Sequence, residues 1–598
     1  MIQVLIFGIL SFTSLQATES TCKKFQHSVT KGNSEQKLKR FLEVQWTYLM
    51  NEFPEWATAV GFPGQDERWT DYSLKAIERR RFELKCQRRY LRSIDRRSLS
   101  ATDRTSYDLA LYRIDIGIEA DTFDDAFMPV NHLEGFHIDI VHTLNEMPSE
   151  NLAGYENVLK RLERIPELEA QTVALMREGL RRRVTPVKEF LEKINEQVTS
   201  LTVEPVENGP LFQKFKDINP SIANDEKLRL QNQASKIIKE RVYPALKEFS
   251  KFLHADYIPN ARTFIAFEKM PNGKAWYKHL VKRQTTTDLS PDILHQIGLR
   301  EVERITNEMN KIREQVSFKG DLKAFNEFLL KDRRFQFDNE QDLLSGYRDI
   351  AKRIDPELPR LFRTLPRLTY GIRPIEAFRA ASAPGAQYNS GSAEAGRPGW
   401  FMANTSDLPS RPKWDMETLT LHEAVPGHHL QITIAQELKD LPPFRRFGGF
   451  TAFSEGWALY AESLGSELGL FKDPYSRYGN LSAEMMRAVR LVLDTGLHTQ
   501  GWSQAKALAY YRSQMPITDV DSENEVNRYI TWPGQALAYK VGQLKIQQLR
   551  QESQKVLGQN FDIREFHDVV LGNGSVPMSL LEKNIREWLK TKKSKKTI

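Results

Sequence analysis

Residues 421–431 read Leu-His-Glu-Ala-Val-Pro-Gly-His-His-Leu-Gln. Proteins bind zinc through imidazole nitrogens and carboxylate oxygens, and a hydrolytic zinc site has three protein ligands with a fourth position open to water. In the pattern H-E-x-x-H, two histidines four residues apart share one helix face, and the glutamate beside the first histidine accepts a proton from water. In this chain the residue four positions after His422 is Pro426, so the usual spacing is absent.

Pro426 and Gly427 indicate where a second histidine ligand comes from. Proline disfavours helical geometry at Val425, and glycine tolerates unusual backbone angles, so we expect the helix to bulge or kink at this point. A bulged turn can return His428 to a metal ion bound by His422.

His429 is the alternative second ligand. In a straight helix it would share the face of His422, but it would lie about 10 Å further along the helix axis. The sequence therefore predicts His422 and His428 as metal ligands and Glu423 as the base that accepts a proton from water. The remaining imidazole, His429 in this interpretation, would line the cleft or pack behind the metal.

The third ligand is expected from a neighbouring helix. Residues 453–462 read Phe-Ser-Glu-Gly-Trp-Ala-Leu-Tyr-Ala-Glu, so Glu455 and Glu462 fall on one helix face two turns apart. We predict that Glu455 binds the metal and that Glu462 accepts a hydrogen bond from a ligating imidazole and so orients it. The alternative is a pair of solvated glutamates, against which the neighbouring aromatic residues and glycine indicate burial.

Arg490, Asp494 and His498 follow one another at intervals of four residues, which stacks them along one helix face. In one interpretation Asp494 fixes the tautomer of His498 and neutralises Arg490. In the other, the three residues form a surface ladder of ion pairs.

Phenols and cations recur late in the chain, in Asn527-Arg528-Tyr529-Ile530 and in residues 533–540. A phenol beside a polarised carbonyl stabilises an oxyanion, which suits Tyr529, and a cation can hold a substrate carboxylate. Asn404 precedes the metal motif and is expected to face the active cleft. The candidate substrate-binding residues are Arg528, Lys540, Tyr539, Arg490 and Asn404.

The rest of the sequence predicts a mainly α-helical protein. Apolar residues recur at helical spacing from Leu74 among many arginines, and residues 150–200 and 225–255 also show the pattern of long helices. Ser290-Pro291 is typical of a helix start. Residues 380–398 indicate a loop and residues 400–404 one short strand, and beyond Asp415 the pattern is helical almost to the end.

Composition and targeting signals indicate a soluble secreted chain. The 85 basic and 78 acidic residues leave a net charge of +7, much of it in two segments, and no nucleic-acid-binding motif accompanies it. Residues 1–17 resemble a signal peptide, although they lack an N-terminal Lys or Arg, and the alternatives are an uncleaved anchor or a buried first helix. No later segment is long and apolar enough for stable membrane insertion. Cys22 and Cys86 permit one disulfide or remain reduced. N-glycan acceptor patterns occur at Asn404, Asn480 and Asn573.

The chain resembles, at these motifs, the zincin-like family catalogued as domain of unknown function 885. The resemblance is carried, in order, by residues 422–431, 455–462, 494–498 and 528–542, and weaker similarity that includes Met270-Pro271-Asn272-Gly273 extends over most of the chain.

A more distant similarity is to carboxypeptidase Taq and angiotensin-converting enzyme, which are helical gluzincins with a deep channel. It implies a large helical zincin-like metallopeptidase fold around a deep cleft, with a few short strands near the metal helix. It also implies Glu455 as the third ligand and Arg528-Tyr529 as the source of the oxyanion phenol. The interrupted metal motif departs from both families.

Together these features predict a secreted zinc peptidase that hydrolyses short peptides, with one zinc ion per chain and with Tyr529 and His498 stabilising the oxyanion. Carboxypeptidase or dipeptidyl-carboxypeptidase action is favoured by Arg487, Arg490 and Lys540. Residues 18–598 are expected to form one helical catalytic body, or two subdomains flanking the cleft. The alternatives are a catalytically silent binding or scaffold homologue and a zinc hydrolase of a non-peptide amide or ester. The oligomeric state is open.

Overall fold

A computed structural model of the chain describes residues 20–376, 380, 383–394 and 396–594. These residues are mainly α-helical, which confirms the predicted class. The predicted signal peptide, residues 1–17, lies outside the described residues. The chain divides into two compact units, of which the first ends at Phe264 and the second begins at Ile265.

The first unit is built of helices, and buried apolar side chains between Val130 and Ala261 form a common core within it. This core includes Leu144, Leu162, Leu191 and Phe249, none more than 2 % exposed. The helices are residues 20–28 (α1), Ser34–Glu52 (α2), Pro54–Val60 (α3), Leu74–Arg92 (α4), Ala101–Ala120 (α5), Phe136–Glu146 (α6), Leu152–Glu163 (α7), Ile165–Arg182 (α8), Lys188–Ser200 (α9), Gln213–Lys216 (α10), Asn224–Ile237 (α11) and Tyr243–Phe252 (α12).

A disulfide joins α1 to α4 in the first unit. Cys22 and Cys86 are bonded, with their Cα atoms 5.7 Å apart. The bond closes a loop of 64 residues and so restricts the unfolded chain. Of the two states that the sequence permitted for these cysteines, the structure has the oxidised one.

The second unit carries all the predicted site residues. Its helices are Gly273–Thr285 (α13), Pro291–Gln315 (α14), Leu322–Lys331 (α15), Glu340–Ile354 (α16), Met416–Glu423 (α17), His428–Glu437 (α18), Pro443–Arg446 (α19), Thr451–Ser463 (α20), Pro474–Thr499 (α21), Gln504–Gln514 (α22), Asp519–Thr531 (α23), Ala538–Leu557 (α24), Ile563–Leu571 (α25) and Met578–Ser594 (α26).

A three-stranded sheet precedes the metal motif in the second unit. Its strands are Tyr370–Pro374 (β1), Ala386–Asn389 (β2) and Gly399–Ala403 (β3), in the order β1-β3-β2. The central strand β3 is parallel to β1 and antiparallel to β2, and Phe401 pairs with both Ile372 and Tyr388. The predicted strand at 400–404 is therefore confirmed within one residue.

Of three local predictions, two differ from the structure and one is confirmed. Residues 380–398 are not loop throughout, because β2 pairs with β3 within them. Residues 150–200 form three helices, because α7 and α8 are separated by a turn at Arg164 and α8 ends at Arg183, which has a left-handed backbone conformation. The predicted helix start at Ser290 is confirmed, with its hydroxyl accepting a hydrogen bond from the amide of Ile293. Within the described residues, we find no helix with the length and apolar character needed to span a bilayer.

Candidate metal centre

The metal motif lies across a break between two helices. Helix α17 ends at Glu423 and α18 begins at His428. A Cβ atom on Gly427 would lie 1.9 Å from the carbonyl oxygen of His422, so the chain passes there with room only for glycine. The indole nitrogen of Trp457 donates a hydrogen bond of 2.8 Å to the carbonyl oxygen of Pro426 and so holds the break in place.

The break brings His428 next to His422. Their ring centroids lie 4.8 Å apart with the planes at 88°. Glu455 approaches both imidazoles from α20, with its Oε2 atom 3.6 Å from Nε2 of His422 and 3.3 Å from Nε2 of His428. Ligand atoms of these three residues all lie within 4.8 Å of one another, as the sequence predicted for the metal ligands.

The spacing of these atoms fits a small tetrahedral ion. With metal–ligand distances of about 2.0–2.2 Å, neighbouring ligand atoms of a tetrahedral zinc site lie about 3.3–3.6 Å apart. The Oε2 atom of Glu455 is buried and makes no hydrogen bond among the described residues, although two imidazole nitrogens are close to it. Two imidazoles and one carboxylate are also the donor types that zinc prefers, so these residues fit the ion.

Glu462 lies behind this group and orients His422. Its Oε1 atom is 2.7 Å from Nδ1 of His422, so the imidazole donates its Nδ1 proton and leaves the Nε2 lone pair directed towards Glu455 and His428. Arg487 lies on the other side, with a guanidinium nitrogen 3.5 Å from the same oxygen of Glu462. Arg487 therefore compensates part of the negative charge that is buried with Glu462.

The centre is electrostatically suited to a cation. Burial lowers the pKa of His422, but the carboxylates of Glu455, Glu462 and Glu423 outweigh it and raise this pKa to about 10. Burial likewise opposes the charge of Glu455, yet the imidazoles of His428 and His422 hold its pKa well below the usual range. The site thus attracts positive charge, which a proton or a metal ion can supply.

Glu423 is the last residue of α17 and stands next to the first ligand. It is 6 % exposed, and its charge acts on the imidazole of His422. Within the described residues its carboxylate has no hydrogen-bond or ion-pair partner. It is therefore available to exchange a proton with a molecule bound at the centre.

His429 points to the sheet and not to the other imidazoles. Its Nδ1 atom is 2.9 Å from the hydroxyl of Tyr388, and its ring packs against Tyr370 at 4.5 Å between centroids. Burial lowers its pKa to about 4, so the imidazole is neutral. The structure therefore brings His428 into the ligand group and uses His429 to attach α18 to β1 and β2.

Helix α20, which carries Glu455, lies directly against α24. A Cβ atom on Gly456 would be 2.4 Å from Cα of Gly542, and a Cβ atom on Gly542 would be 1.9 Å from the carbonyl oxygen of Ala452. The two helix backbones therefore touch at these glycines, one residue after Glu455, the candidate carboxylate ligand.

A second polar cluster, formed by Arg490, Glu525, Arg528, Tyr529 and Tyr539, contains most of the predicted substrate-binding residues. Glu525 pairs with Arg490 at 2.8 Å and with Arg528 at 3.4 Å, and it accepts a hydrogen bond of 2.7 Å from the hydroxyl of Tyr529. Arg528 donates to the hydroxyl of Tyr539 at 2.8 Å. Burial opposes the charge of Glu525, but Arg490 and Arg528 hold its pKa at about 2.

Arg487 links this polar cluster to the metal centre. It contacts Glu462 on one side, and its charge acts on Tyr511, which interacts with Arg490, Glu525 and Tyr529 on the other. Within the part of the chain that the structure describes, Nη1 of Arg490 and Nε of Arg528 are buried and have no hydrogen-bond partner.

Two predicted substrate-binding residues are instead occupied by the protein itself. Lys540 is fully buried, and its Nζ atom lies 2.7 Å from Glu484 and 2.9 Å from Glu301, so it joins α14, α21 and α24. Asn404 is 1 % exposed and donates to the carbonyl oxygens of residues 380, 383 and 384 while accepting two bonds from Ser406. Lys540 is thus neutralised inside the protein, and Asn404 has both amide groups engaged, so it has none left for a substrate or a glycan.

The predicted partnership of Asp494 with His498 and Arg490 is wrong. Asp494 accepts hydrogen bonds from the hydroxyl of Tyr277 at 2.5 Å and from the amide of Gly534 at 3.0 Å. Arg490 pairs with Glu525 instead. A surface ladder is excluded as well, because all three side chains are buried.

His498 lies between two backbone groups. Its Nδ1 atom accepts a hydrogen bond of 3.3 Å from the amide of Phe267, and its Nε2 atom lies 2.9 Å from the carbonyl oxygen of Tyr529. Both ring nitrogens are engaged, so the imidazole is not disposed to stabilise an oxyanion as predicted.

Sequence reasoning missed four residues that complete these clusters. Glu525 precedes Arg528 and Tyr529 by three and four positions, a helical spacing that could have identified it. Tyr388 and Tyr277 hold His429 and Asp494 from distant parts of the chain, for which no sequence signal exists. Trp457 lies within residues 453–462, for which the sequence predicted buried aromatic side chains but no hydrogen bond to Pro426.

Comparisons with known proteins place the chain in a family without an assigned activity. The family described as "Bacterial protein of unknown function (DUF885)" matches residues 54–585. A solved structure described as "the putative lipoprotein from Colwellia psychrerythraea" is 30 % identical, with a TM-score of 0.90, and the match covers 94 % of this chain and 100 % of that one.

A second solved structure, described as "a putative lipoprotein of unknown function from Shewanella oneidensis", is 19 % identical. Its TM-score is 0.71, and the match covers 91 % of this chain and 99 % of the other, so it shares the fold. No curated protein matches the chain.

Proposed function

We propose, from the premise that this chain belongs to the DUF885 family, that it is a zinc-dependent hydrolase of short peptides. The observation that carries the proposal is the convergence of His422, His428 and Glu455, with the free carboxylate of Glu423 beside them. Three protein ligands with an adjacent carboxylate are the composition of a catalytic zinc site, whereas a structural zinc site is closed by four protein ligands.

The chemistry follows from these residues. A zinc ion held by the three ligands would polarise the scissile carbonyl and acidify water. Glu423 takes one proton from the attacking water while the water oxygen bonds to the carbonyl carbon. Glu423 then delivers that proton to the leaving nitrogen as the C–N bond breaks. Glu462 keeps His422 in the tautomer that presents Nε2 to the ion.

The proposed function includes a relationship of this chain to the gluzincins. It is supported by the origin of the ligands, because two histidines flank the catalytic glutamate and the third ligand is a glutamate on a later helix, α20. The zincin-like fold and the deep cleft are proposed on the same basis. Tyr529 is the proposed oxyanion donor, although its hydroxyl donates to Glu525 in the present arrangement and would have to exchange that partner.

Carboxypeptidase or dipeptidyl-carboxypeptidase action is the proposed mode. Among the described residues, Arg490 and Arg528 each have a buried nitrogen without a hydrogen-bond partner, and Glu525 balances only one of their two charges. The resulting excess of positive charge suits the free carboxylate of a peptide, since a guanidinium pairs with a carboxylate through two parallel hydrogen bonds. Lys540 is left out of this role because it is already paired with two glutamates.

We propose that the chain acts outside the cytoplasm, as a secreted protein. A disulfide such as Cys22–Cys86 persists in oxidising compartments and is rare in the cytosol. The two solved relatives are described as lipoproteins, which is consistent with an extracytoplasmic location.

The experiment measures bound zinc and the hydrolysis of peptides with free and with blocked termini. We expect one zinc ion per chain, its loss in His422→Ala, and its retention in the control His142→Ala, whose side chain is exposed in the first unit. Hydrolysis should require zinc and a free carboxyl terminus. A chain that binds no zinc would contradict the hydrolase, and zinc-dependent cleavage of amides or esters without any peptide cleavage would contradict the substrate class.

A further inference from the structure

Asp494 and His498 bind the connection formed by residues 529–534, which runs from the last turn of α23 towards α24. The two residues lie one turn apart on α21, and both are fully buried. His498 contacts the carbonyl group of Tyr529, and Asp494 contacts the amide group of Gly534. One face of α21 thus contacts this connection near both of its ends.

The contact from His498 satisfies a helix end. Because the amide of Phe267 donates to Nδ1, the proton of the imidazole is on Nε2 and is donated to the carbonyl oxygen of Tyr529. Helix α23 ends at Thr531, so this carbonyl belongs to the last turn, where no helical amide is available to it. His498 therefore fixes the position of the turn that carries Arg528 and Tyr529.

The contact from Asp494 fixes the turn that follows. Both carboxylate oxygens lie 3.0 Å from the amide nitrogen of Gly534, and one of them accepts the hydroxyl of Tyr277 at 2.5 Å. Gly534 has φ +82°, and a Cβ atom on it would lie 3.1 Å from the backbone nitrogen of Val281, so the turn is pressed onto α13. Among the described residues, the carboxylate has neutral partners only, which is costly for a buried charge.

The side chains on either side of this connection bind one another. Arg528 precedes it and donates to Gln535 at 2.9 Å and to Tyr539 at 2.8 Å, both of which follow it. The guanidinium of Arg490 lies 4.4 Å from the ring centroid of Tyr539. The position of the backbone between Tyr529 and Gly534 therefore determines how the two arginines are spaced.

We propose that Asp494 and His498 are positioning residues that hold this connection so that Arg490 and Arg528 bind the free carboxylate of a peptide. The inference rests on the proposed function for the identity of the ligand. It assigns the two residues a role in substrate affinity and none in the chemical step.

Two disruptive variants and two conservative ones test the inference. Asp494→Ala removes the acceptor and His498→Leu removes the donor. Asp494→Asn keeps a hydrogen-bond acceptor, and His498→Gln keeps a hydrogen-bond donor. We expect the disruptive variants to raise KM for a free-carboxyl peptide by roughly tenfold to a hundredfold, with kcat within about threefold and zinc content unchanged. The conservative variants should recover most of the wild-type KM.

Thr495→Val is the matched control, because Thr495 is equally buried on α21 but binds His295. It should leave KM unchanged. An equal rise in KM in this variant would overturn the inference, as would lost zinc or reduced kcat with unchanged KM in the disruptive variants.

Hydrogen exchange gives a measurement that does not depend on activity. Amides of residues 526–540 should exchange faster in the two disruptive variants of the full chain than in the wild type, the conservative variants or the control. Unchanged exchange would overturn the inference even if peptides are cleaved. Faster exchange in a chain that cleaves no peptide would instead contradict the proposed function and leave the positioning role intact.

Discussion

The Nδ1 atom of His422 lies 2.7 Å from Oε1 of Glu462, and both side chains are almost completely buried. The contact fixes the tautomer and the plane of the imidazole, because a carboxylate can only accept a hydrogen bond and the Nδ1–H group must therefore donate it. His428, in contrast, has a buried Nδ1 atom with no hydrogen-bond partner among the described residues. The two histidines of the candidate centre are therefore held by different means.

Replacing Glu462 with glutamine should weaken zinc binding by about 10–100-fold, because the neutral amide no longer stabilises the orientation and basicity of His422. The measurement is competition for zinc with a chelator of known affinity. Glu467→Gln is the control, since Glu467 pairs with Arg550 outside the centre. Equal affinities of the two variants would contradict the role of Glu462.

Replacing Glu423 with glutamine should leave zinc content unchanged and lower kcat by about 10²–10⁴-fold, because the amide cannot accept a proton from water. Metal analysis and peptide hydrolysis on the same preparation check both expectations. Full activity in this variant would exclude Glu423 as the base, whereas loss of the metal would assign it a structural role.

Replacing Gly427 with alanine should lower the melting temperature and abolish tight zinc binding. The added Cβ atom would overlap the carbonyl oxygen of His422, and overpacking of this kind costs about 1–3 kcal/mol or more. Gly449→Ala is the control, because the nearest atom to its Cβ is 3.8 Å away. A Gly427→Ala protein with wild-type zinc affinity would show that the break between α17 and α18 tolerates displacement.

Asp494 should make the stability of the protein depend on pH. Burial raises its pKa in the folded state from the ordinary value near 3.8 to about 7. Its folded form therefore binds the proton more tightly than its unfolded form, so its contribution to stability is present in acid and is lost as the pH rises through about 7. Asparagine does not titrate. The free energy of unfolding of the wild type, relative to Asp494→Asn, should fall between about pH 4 and pH 7. A difference that is constant with pH would contradict this assignment.

The ligands of the candidate centre could be predicted because the residues that supply them lie within two short segments of the sequence. His422 and His428 flank a glutamate, a proline and a glycine. The proline and the glycine predict the break in the helix that brings the two histidines together. Glu455 and Glu462 are spaced by two helical turns, so their shared face was evident before the fold was known. The mainly helical class followed from apolar periodicity over long segments.

The roles of the later residues could not be predicted from spacing, because their partners are distant in the chain. Asp494 binds Tyr277, which lies 217 positions earlier, and Lys540 binds Glu301 and Glu484 from two other helices. Charges repeated along one helix face are compatible with several sets of partners, and only the packing of α13, α14 and α24 against α21 selects among them. Strand β2 was missed for a related reason, since its hydrogen bonds are supplied by β3.

The contact between Gly456 and Gly542 means that Glu455, the candidate carboxylate ligand, lies on a helix whose distance from α24 depends on the absence of side chains at these two positions. One added carbon at either position would wedge α20 away from α24 and carry Glu455 with it, although every ligand residue would still be present in the sequence. A relative could thus lose its metal through a change at a residue that never touches it. To judge whether a related chain is a catalyst or a silent binder, the residues at the positions of Gly456 and Gly542 must therefore be inspected together with the histidines and glutamates.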